Sequence, residues 1–120
     1  MIIGIGTDLI EVARVERVCT NNKRFLETMF TEAEREYSAK NIKNPYMHLA
    51  AAWAAKEALF KATNIRFRFG DAAVAHEKTG KPYFVFSQSV MDKFGAMHLH
   101  LTISHVKEYA IATVVADGLR

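Results

Sequence analysis

The spacing of apolar residues changes register several times along the chain, and each change predicts an element. Ile2, Ile3 and Ile5, interleaved with Gly4 and Gly6, predict a buried strand over residues 1–7 that another backbone can approach closely. Asp8 closes that strand as a turn or helix-cap residue. Helical spacing follows from Leu9 to Val18, with Val12 and Val15 on one face and Arg14 and Arg17 elsewhere on the surface. Thr20-Asn21-Asn22 marks a turn, Phe25, Leu26 and Met29 predict a short helix, and Thr31-Glu32-Ala33-Glu34 is a capping box that opens a third. Beyond residue 64 the period drops to two. Phe67 and Phe69 alternate with Arg66 and Arg68, Ala72 to His76 reads as a strand, and Gly80-Lys81-Pro82 turns the chain into a strand from Tyr83 to Phe86. Ser87 can cap a helix carrying Val90, Met91 and Phe94, with Gly95 near its end. Leu99, Leu101 and Ile103 then oppose His98, His100, Thr102 and Ser104, and a short turn leads to the strand Tyr109 to Ala116, a hairpin.

Between these halves lies one long helix. Asn44 is placed to cap it, Pro45 occupies the first helical position, where a missing N–H costs nothing, and nothing breaks the pattern before Ala62. Alanines at 50, 51, 54, 55, 58 and 62 form a smooth stripe for a close neighbour. Glu57 sits beside that stripe with Trp53, Ala54, Phe60 and Lys61 one turn away. A solvated Glu57–Lys61 pair is worth only about 0.3–0.5 kcal/mol. Two unit charges about 4 Å apart at an effective dielectric near 20 attract by roughly 4 kcal/mol, and a divalent ion attracts more strongly. A bound metal therefore accounts for a half-buried Glu57 better than Lys61 alone. The order of elements predicts an α+β fold, a largely antiparallel sheet around one long central helix, in a single domain over residues 1–120.

With half of its 120 residues hydrophobic and 24% charged, the chain has an ordinary globular composition. No run reaches the length of a membrane span and no signal-peptide pattern stands at Met1, so a cytoplasmic protein is expected. Cys19 is the only cysteine, which excludes an intrachain disulfide and a multi-cysteine zinc site. A net charge of +3 favours an anionic partner without choosing among nucleic acid, a phosphorylated cofactor and an acidic protein. Gly4-Ile5-Gly6 is no dinucleotide fingerprint, because Leu9 stands where the third glycine belongs. His98 and His100 share a strand face with no third ligand evident, as polar residues on a solvated face do. His105 differs: at the bend Ser104-His105-Val106-Lys107 it can donate hydrogen bonds to an anion.

Asp8 after Gly-Ile-Gly-Thr, Trp53-Ala-Ala-Lys-Glu-Ala with Lys61-Ala62, Gly80-Lys81-Pro82, and Thr102-Ile-Ser-His105 followed by Tyr109-Ala110 together resemble the bacterial holo-(acyl-carrier-protein) synthases. Each fragment alone is weak; their order and separations over nearly the whole chain are specific. The resemblance implies transfer of 4′-phosphopantetheine from coenzyme A to a serine of apo acyl-carrier protein, releasing adenosine 3′,5′-bisphosphate. It implies Mg²⁺ held by Asp8 and Glu57, with Lys61 beside them as a catalytic cation. By the same resemblance Lys61, Lys81, Pro82 and His105 contact the coenzyme, Arg14 and Phe25 dock the carrier protein with Arg17 and Arg24 nearby, and the protein is a homotrimer with active sites between subunits. Lys56 is a further candidate for an anion contact. One departure is plain. The family's glycine-rich turn after the long helix is replaced by Thr63-Asn64-Ile65-Arg66-Phe67-Arg68-Phe69, in which Asn64 can take a left-handed conformation.

Two rival readings use the same residues. A metal-dependent nucleotide or coenzyme A phosphohydrolase would employ Asp8 and Glu57 without a carrier protein. A non-catalytic nucleic-acid-binding domain would use the Arg-Phe alternation at 66–69 for phosphate contact and stacking, and would leave both carboxylates unexplained. The family resemblance implies neither a nucleic acid nor a membrane as partner.

Overall fold

The computed structural model describes residues 1–118. In chain order the elements are β1 (Ile2–Glu11), α1 (Val12–Asn21), α2 (Lys23–Met29), α3 (Glu32–Ala39), α4 (Pro45–Thr63), a short 3₁₀ turn (Phe69–Asp71), β2 (Ala72–His76), β3 (Pro82–Phe86), α5 (Gln88–Phe94), β4 (Met97–His105) and β5 (Tyr109–Gly118). The fold is α+β, as expected, with every strand pair antiparallel. The strands divide into a three-stranded sheet in the order β1-β5-β4 and a separate β2-β3 hairpin.

Helix α4 is the centre of the molecule. The alanine stripe understates its burial: from Leu49 to Lys56 every residue is buried, because the sheet, the α1–α3 layer and β2 enclose it. Gly4 and Gly6 of β1 make the closest approach possible. A Cβ at Gly4 would run into the Ala62 carbonyl, and one at Gly6 into the Ala58 carbonyl. Glycine on the strand and alanine on the helix thus let the two backbones meet, and the meeting fixes Thr7 and Asp8 of β1 against the last turns of α4.

Several local expectations change. β1 does not stop at Asp8; it runs to Glu11, with Asp8 paired to Ala112, Leu9 to Ile111 and Glu11 to Tyr109. Leu9, Ile10 and Glu11 are strand because β5, far along the chain, supplies their partners, a fact that local helical spacing cannot contain. Asp8 is consequently a mid-strand side chain on the α4 face and caps nothing. Asn44 makes no side-chain cap; its carbonyl accepts from Met47 N–H at 3.3 Å instead. Ser87 likewise leaves its helix uncapped and donates its hydroxyl to Asp71 Oδ1 at 3.0 Å. The capping box at Thr31 and Glu34 is formed in both directions. Phe67 and Phe69 are not in a strand. Asn64 ends α4 in the left-handed region at φ 57°, and the two rings stack on each other with centroids 5.4 Å apart while Phe67 meets Phe94 edge-on.

Candidate functional site

The seam between β1 and α4 brings Asp8 and Lys61 together, with Glu57 one helical turn before Lys61. Lys61 does not turn back along its helix to Glu57. Its ammonium crosses to β1 and donates to the Thr7 carbonyl at 2.9 Å and to Asp8 Oδ1 at 3.2 Å. Glu57, one turn earlier, is half-buried and accepts the indole N–H of Trp53 on Oε1 at 3.4 Å. The Asp8–Lys61 pair is open to water, with side-chain exposures of 19% and 50%, so it contributes at most about 1 kcal/mol to folding. That small return argues against a purely structural purpose.

The donor set suits a hard cation. Asp8 Oδ2 and Glu57 Oε2 carry no hydrogen bond among the described residues, and no group of three or more His, Cys, Asp or Glu side chains is placed to hold a metal there or elsewhere among them. Two carboxylates, each with one oxygen outside the hydrogen bonds described, are the donor type Mg²⁺ takes, and it rarely takes a cage made wholly of protein. They do not match a closed zinc site.

A second group lies across the sheet. Asp8 of β1, Ala112 of β5 and Ile103 of β4 form one row, and Ile10, Ala110 and His105 form another. Asp8 and His105 therefore rise from the same face, two strands and one row apart, roughly 12 Å at the usual strand spacing and rise. His105 lines a cavity of about 150 Å³ with Gly80 of the β2-β3 turn, Pro82 of β3, Tyr37 of α3, His48 of α4 and His76 of β2. Pro82 and His105 are thus brought together; Lys81 is not among the lining residues and is exposed, its backbone N–H on the Thr79 hydroxyl at 3.4 Å. Burial lowers the pKa of His48 and His76 below the ordinary histidine value of 6.5, and the neighbouring imidazoles lower them further.

Trp53 gathers a third group. Phe25 of α2 packs on its ring at 5.2 Å between centroids, and the Arg14 guanidinium of α1 lies over it at 5.6 Å. Arg17 and Arg24 are exposed on the same two helices. Beyond the other side of Glu57, the 64–69 segment forms a wall of a cavity of about 190 Å³ lined by Glu57, Phe60, Arg66, Phe67 and Phe69.

Lys56 is no anion contact. It is fully buried and donates to Glu34 Oε1 at 2.7 Å and to the carbonyls of Met29 and Phe69, each at 2.9 Å. Burial draws its pKa below the usual lysine value, and the Glu34 carboxylate opposes that shift. Glu34 also accepts the Thr31 and Val74 N–H groups, so one buried pair ties α2, α3, β2 and the 64–69 segment to α4. The capping-box pattern signalled Glu34, but nothing local signalled its buried partner. Cys19 is in the core, its thiol pushed up to about 11 by burial, and offers no nucleophile.

The profile of the 4′-phosphopantetheinyl transferase superfamily matches residues 4–114. A holo-[acyl-carrier-protein] synthase of Caldanaerobacter subterraneus subsp. tengcongensis is 38% identical, over 98% of this chain and 97% of that protein. Among solved structures, a holo-(acyl-carrier-protein) synthase from Bacillus anthracis in complex with coenzyme A (3′,5′-ADP) superposes with a TM-score of 0.82 at 34% identity, covering 99% of each chain. The Neisseria meningitidis holo-[acyl-carrier-protein] synthase superposes with a TM-score of 0.85 at 30% identity, over 98% of this chain and 99% of that one.

Proposed function

Because the chain belongs to the 4′-phosphopantetheinyl transferase superfamily and transfers 4′-phosphopantetheine from coenzyme A to a serine of apo acyl-carrier protein, we propose that Asp8, Glu57 and Lys61 form its reaction centre. The carrying observation is Lys61 held across the β1–α4 seam on Asp8, with Glu57 one turn away. In the reaction the serine oxygen gives up its proton to water and forms a bond to the β-phosphorus of the coenzyme, and the bond from that phosphorus to the bridging oxygen breaks. Adenosine 3′,5′-bisphosphate leaves with the electron pair. Negative charge grows on the bridging oxygen as it departs, and a fixed ammonium is worth most where charge develops. Lys61 fills that role. Mg²⁺, held by Asp8 and Glu57, would withdraw charge from the pyrophosphate oxygens.

His105 and Pro82 contact the coenzyme, and Lys81 reaches it from the exposed turn. Arg14 and Phe25, seated on Trp53, dock the carrier protein, with Arg17 and Arg24 extending the basic surface toward an acidic helix. The outer face of the three-stranded sheet supports a homotrimer. Ile5 and Leu9 of β1 are 66% and 62% exposed there, and Tyr109 and Ile111 of β5 stand on the same face. The Thr7–Thr113 hydroxyl pair interrupts these apolar side chains, and an exposed apolar surface of this kind is consistent with a protein contact. The reading sets the enzyme with its substrates in the cytoplasm, in the supply of holo carrier protein for fatty acid synthesis.

Neither rival is favoured, since the relatives are carrier-protein synthases and one is seen with the coenzyme. The test is the intact mass of apo acyl-carrier protein after incubation with this protein, coenzyme A and Mg²⁺, with an EDTA control. A metal-dependent gain of one phosphopantetheine group is expected. Breakdown of coenzyme A with unmodified carrier protein would support the hydrolase instead.

A further inference from the structure

The 64–69 segment, where the Arg-Phe alternation makes no strand, builds a second basic surface that the reaction centre does not use. Arg66, Arg68 and Lys93 surround a hollow of about 440 Å³ whose lining includes Phe67 and Val90. All three cations are exposed, yet each is tethered. The Arg66 guanidinium lies over the Phe60 ring at 5.8 Å, Lys93 Nζ donates to the Arg66 carbonyl at 3.0 Å, and Arg68 Nε donates to Asp71 Oδ2 at 3.3 Å. Asp71 is the one carboxylate lining the hollow among the described residues, and the Ser87 hydroxyl donates to its other oxygen at 3.0 Å. Three cations against one committed carboxylate leave the surface positive. Side chains already held in place lose less freedom when a partner settles on them.

The hollow is continuous with the surface proposed for the carrier protein. Arg66 and Phe67 also line the cavity beside Glu57, so the two recesses share a wall. On α4, Trp53, which carries Arg14 and Phe25, stands one turn before Glu57, and Phe60, which carries Arg66, stands about one turn after it. Those two rings are about 10 Å apart along the helix. Gly70 fastens the segment to α2 as well: a Cβ there would stand 2.9 Å from the Thr28 carbonyl oxygen, so glycine lets the turn close on the helix that bears Arg24 and Phe25. Glu57 thus lies between the Arg14 and Phe25 surface and the Arg66, Arg68 and Lys93 surface. An interface of ordinary size buries about 800 Å² on each partner, a patch roughly 30 Å across, and covers both. Charges on two sides of the reaction centre fix the register of a docked protein, which one patch alone leaves free to swivel.

We propose that Arg66, Arg68 and Lys93 form a second docking site for the acidic carrier protein, on the other flank of Glu57 from Arg14 and Phe25, so that the acceptor serine is presented between two basic surfaces. The site takes its partner's identity from the transferase reading and deepens it. Its occupant is a carboxylate-bearing face of the carrier protein. The lining mixes charge with Phe67 and Val90, the apolar floor and polar rim of a protein contact. Single-stranded nucleic acid needs successive free aromatic faces, whereas Phe67, the only ring in the lining, is already stacked on Phe69. Arg68, engaged by Asp71, is a weak ligand for a phosphate of the coenzyme.

The experiment compares the unaltered protein with the double variant Arg68→Glu, Lys93→Glu and with the milder Arg68→Gln, Lys93→Gln. It reads KM for the carrier protein, KM for coenzyme A and the calorimetric dissociation constant of the apo carrier protein. Charge reversal should raise both carrier-protein constants roughly tenfold at low salt, the combined scale of two exposed ion pairs turned into repulsions, and should move KM for coenzyme A by less than about twofold. The neutral variant should fall between, and the differences should close near about 1 M salt, where the Debye length is ~3 Å. Carrier-protein constants unchanged in both variants, with transfer intact in the unaltered protein, overturn the second docking site alone. A rise in KM for coenzyme A in place of the carrier-protein effect gives the cations to the coenzyme and overturns it too. So does an oligonucleotide whose binding is lost on charge reversal while that of the carrier protein stays. If the unaltered protein neither binds nor modifies the carrier protein, the transferase reading falls and takes the site's partner with it.

Discussion

The indole N–H of Trp53 rests on Glu57 Oε1 at 3.4 Å, one helical turn away, while the same ring system carries Phe25 and the Arg14 guanidinium. One side chain thereby joins the proposed carrier-protein surface to a proposed metal ligand. Trp53→Phe keeps an aromatic ring under Arg14 and beside Phe25 but deletes the donor. A hydrogen bond to a carboxylate is worth about 1.5–3 kcal/mol, and at 3.4 Å this one lies at the weak end or below, so a fall in kcat of roughly fivefold to tenfold is expected, together with a higher Mg²⁺ concentration for half-maximal rate. Unchanged Mg²⁺ dependence would show that the indole does not orient Glu57.

Asp8→Asn and Glu57→Gln are expected to abolish turnover while leaving the fold intact, as read by circular dichroism and the melting temperature. Lys61→Ala should lower kcat by about two orders of magnitude or more, the scale for removing one group that stabilises developing charge. Its stability should change by no more than about 1 kcal/mol, because the Asp8–Lys61 pair is solvent-exposed. Near-normal turnover of the carboxylate variants in excess Mg²⁺ would refute the ligand roles.

Arg14→Glu should raise KM for the carrier protein far more than KM for coenzyme A, and should flatten the rise of the carrier-protein KM with salt. Exposed charges steer encounters less well at higher ionic strength. Equal effects on both substrates would remove Arg14 from the docking surface.

Lys56 makes the opposite prediction from Lys61. Glu34→Gln or Lys56→Met leaves an uncompensated charge in the core, which costs about 3–5 kcal/mol. The double replacement Glu34→Gln, Lys56→Met should recover part of that loss in chemical denaturation. Recovery is partial because the Met29 and Phe69 carbonyls lose their ammonium donor. A Lys56→Met protein as stable as the original would contradict the buried pair.

The histidine cluster gives stability a pH dependence with a defined sign. His48 and His76 have pKa values below 6.5 in the folded chain and about 6.5 when unfolded. As pH falls below 6.5 the unfolded state takes up protons that the folded state resists, so stability drops. Melting temperatures should decline from about pH 7 toward pH 5.5, and His76→Gln should lessen that decline. A flat profile in this window would show that the rings titrate alike in both states.

Different kinds of information set the parts of this molecule. The long helix, its start at Pro45 and its left-handed end at Asn64 follow from local spacing and backbone sterics, and the capping box at Thr31 follows from four adjacent residues. The β4-β5 hairpin is legible because alternation and a short turn sit next to each other in the chain. Glu57 stood out as a carboxylate on an apolar helix. The true extent of β1 was not legible, since Leu9 to Glu11 are strand only because β5 lies beside them. The Arg-Phe alternation misled for the complementary reason: period two makes a strand only when a partner offers hydrogen bonds, and Phe67 and Phe69 find aromatic neighbours instead.

The sequence by itself determined the class of fold, the central helix and, through ordered motifs, the family. Only the tertiary structure decided which charges meet. Lys61 chose Asp8 across the seam over Glu57 on its own helix, Lys56 was drawn inside to Glu34, and His48, His76 and His105 converged from positions up to 57 apart in the numbering. Local patterns record hydrogen bonds and burial within a few residues, whereas electrostatic partners are set by how whole layers stack. Here that stacking is governed by Gly4 and Gly6, which let β1 close on α4.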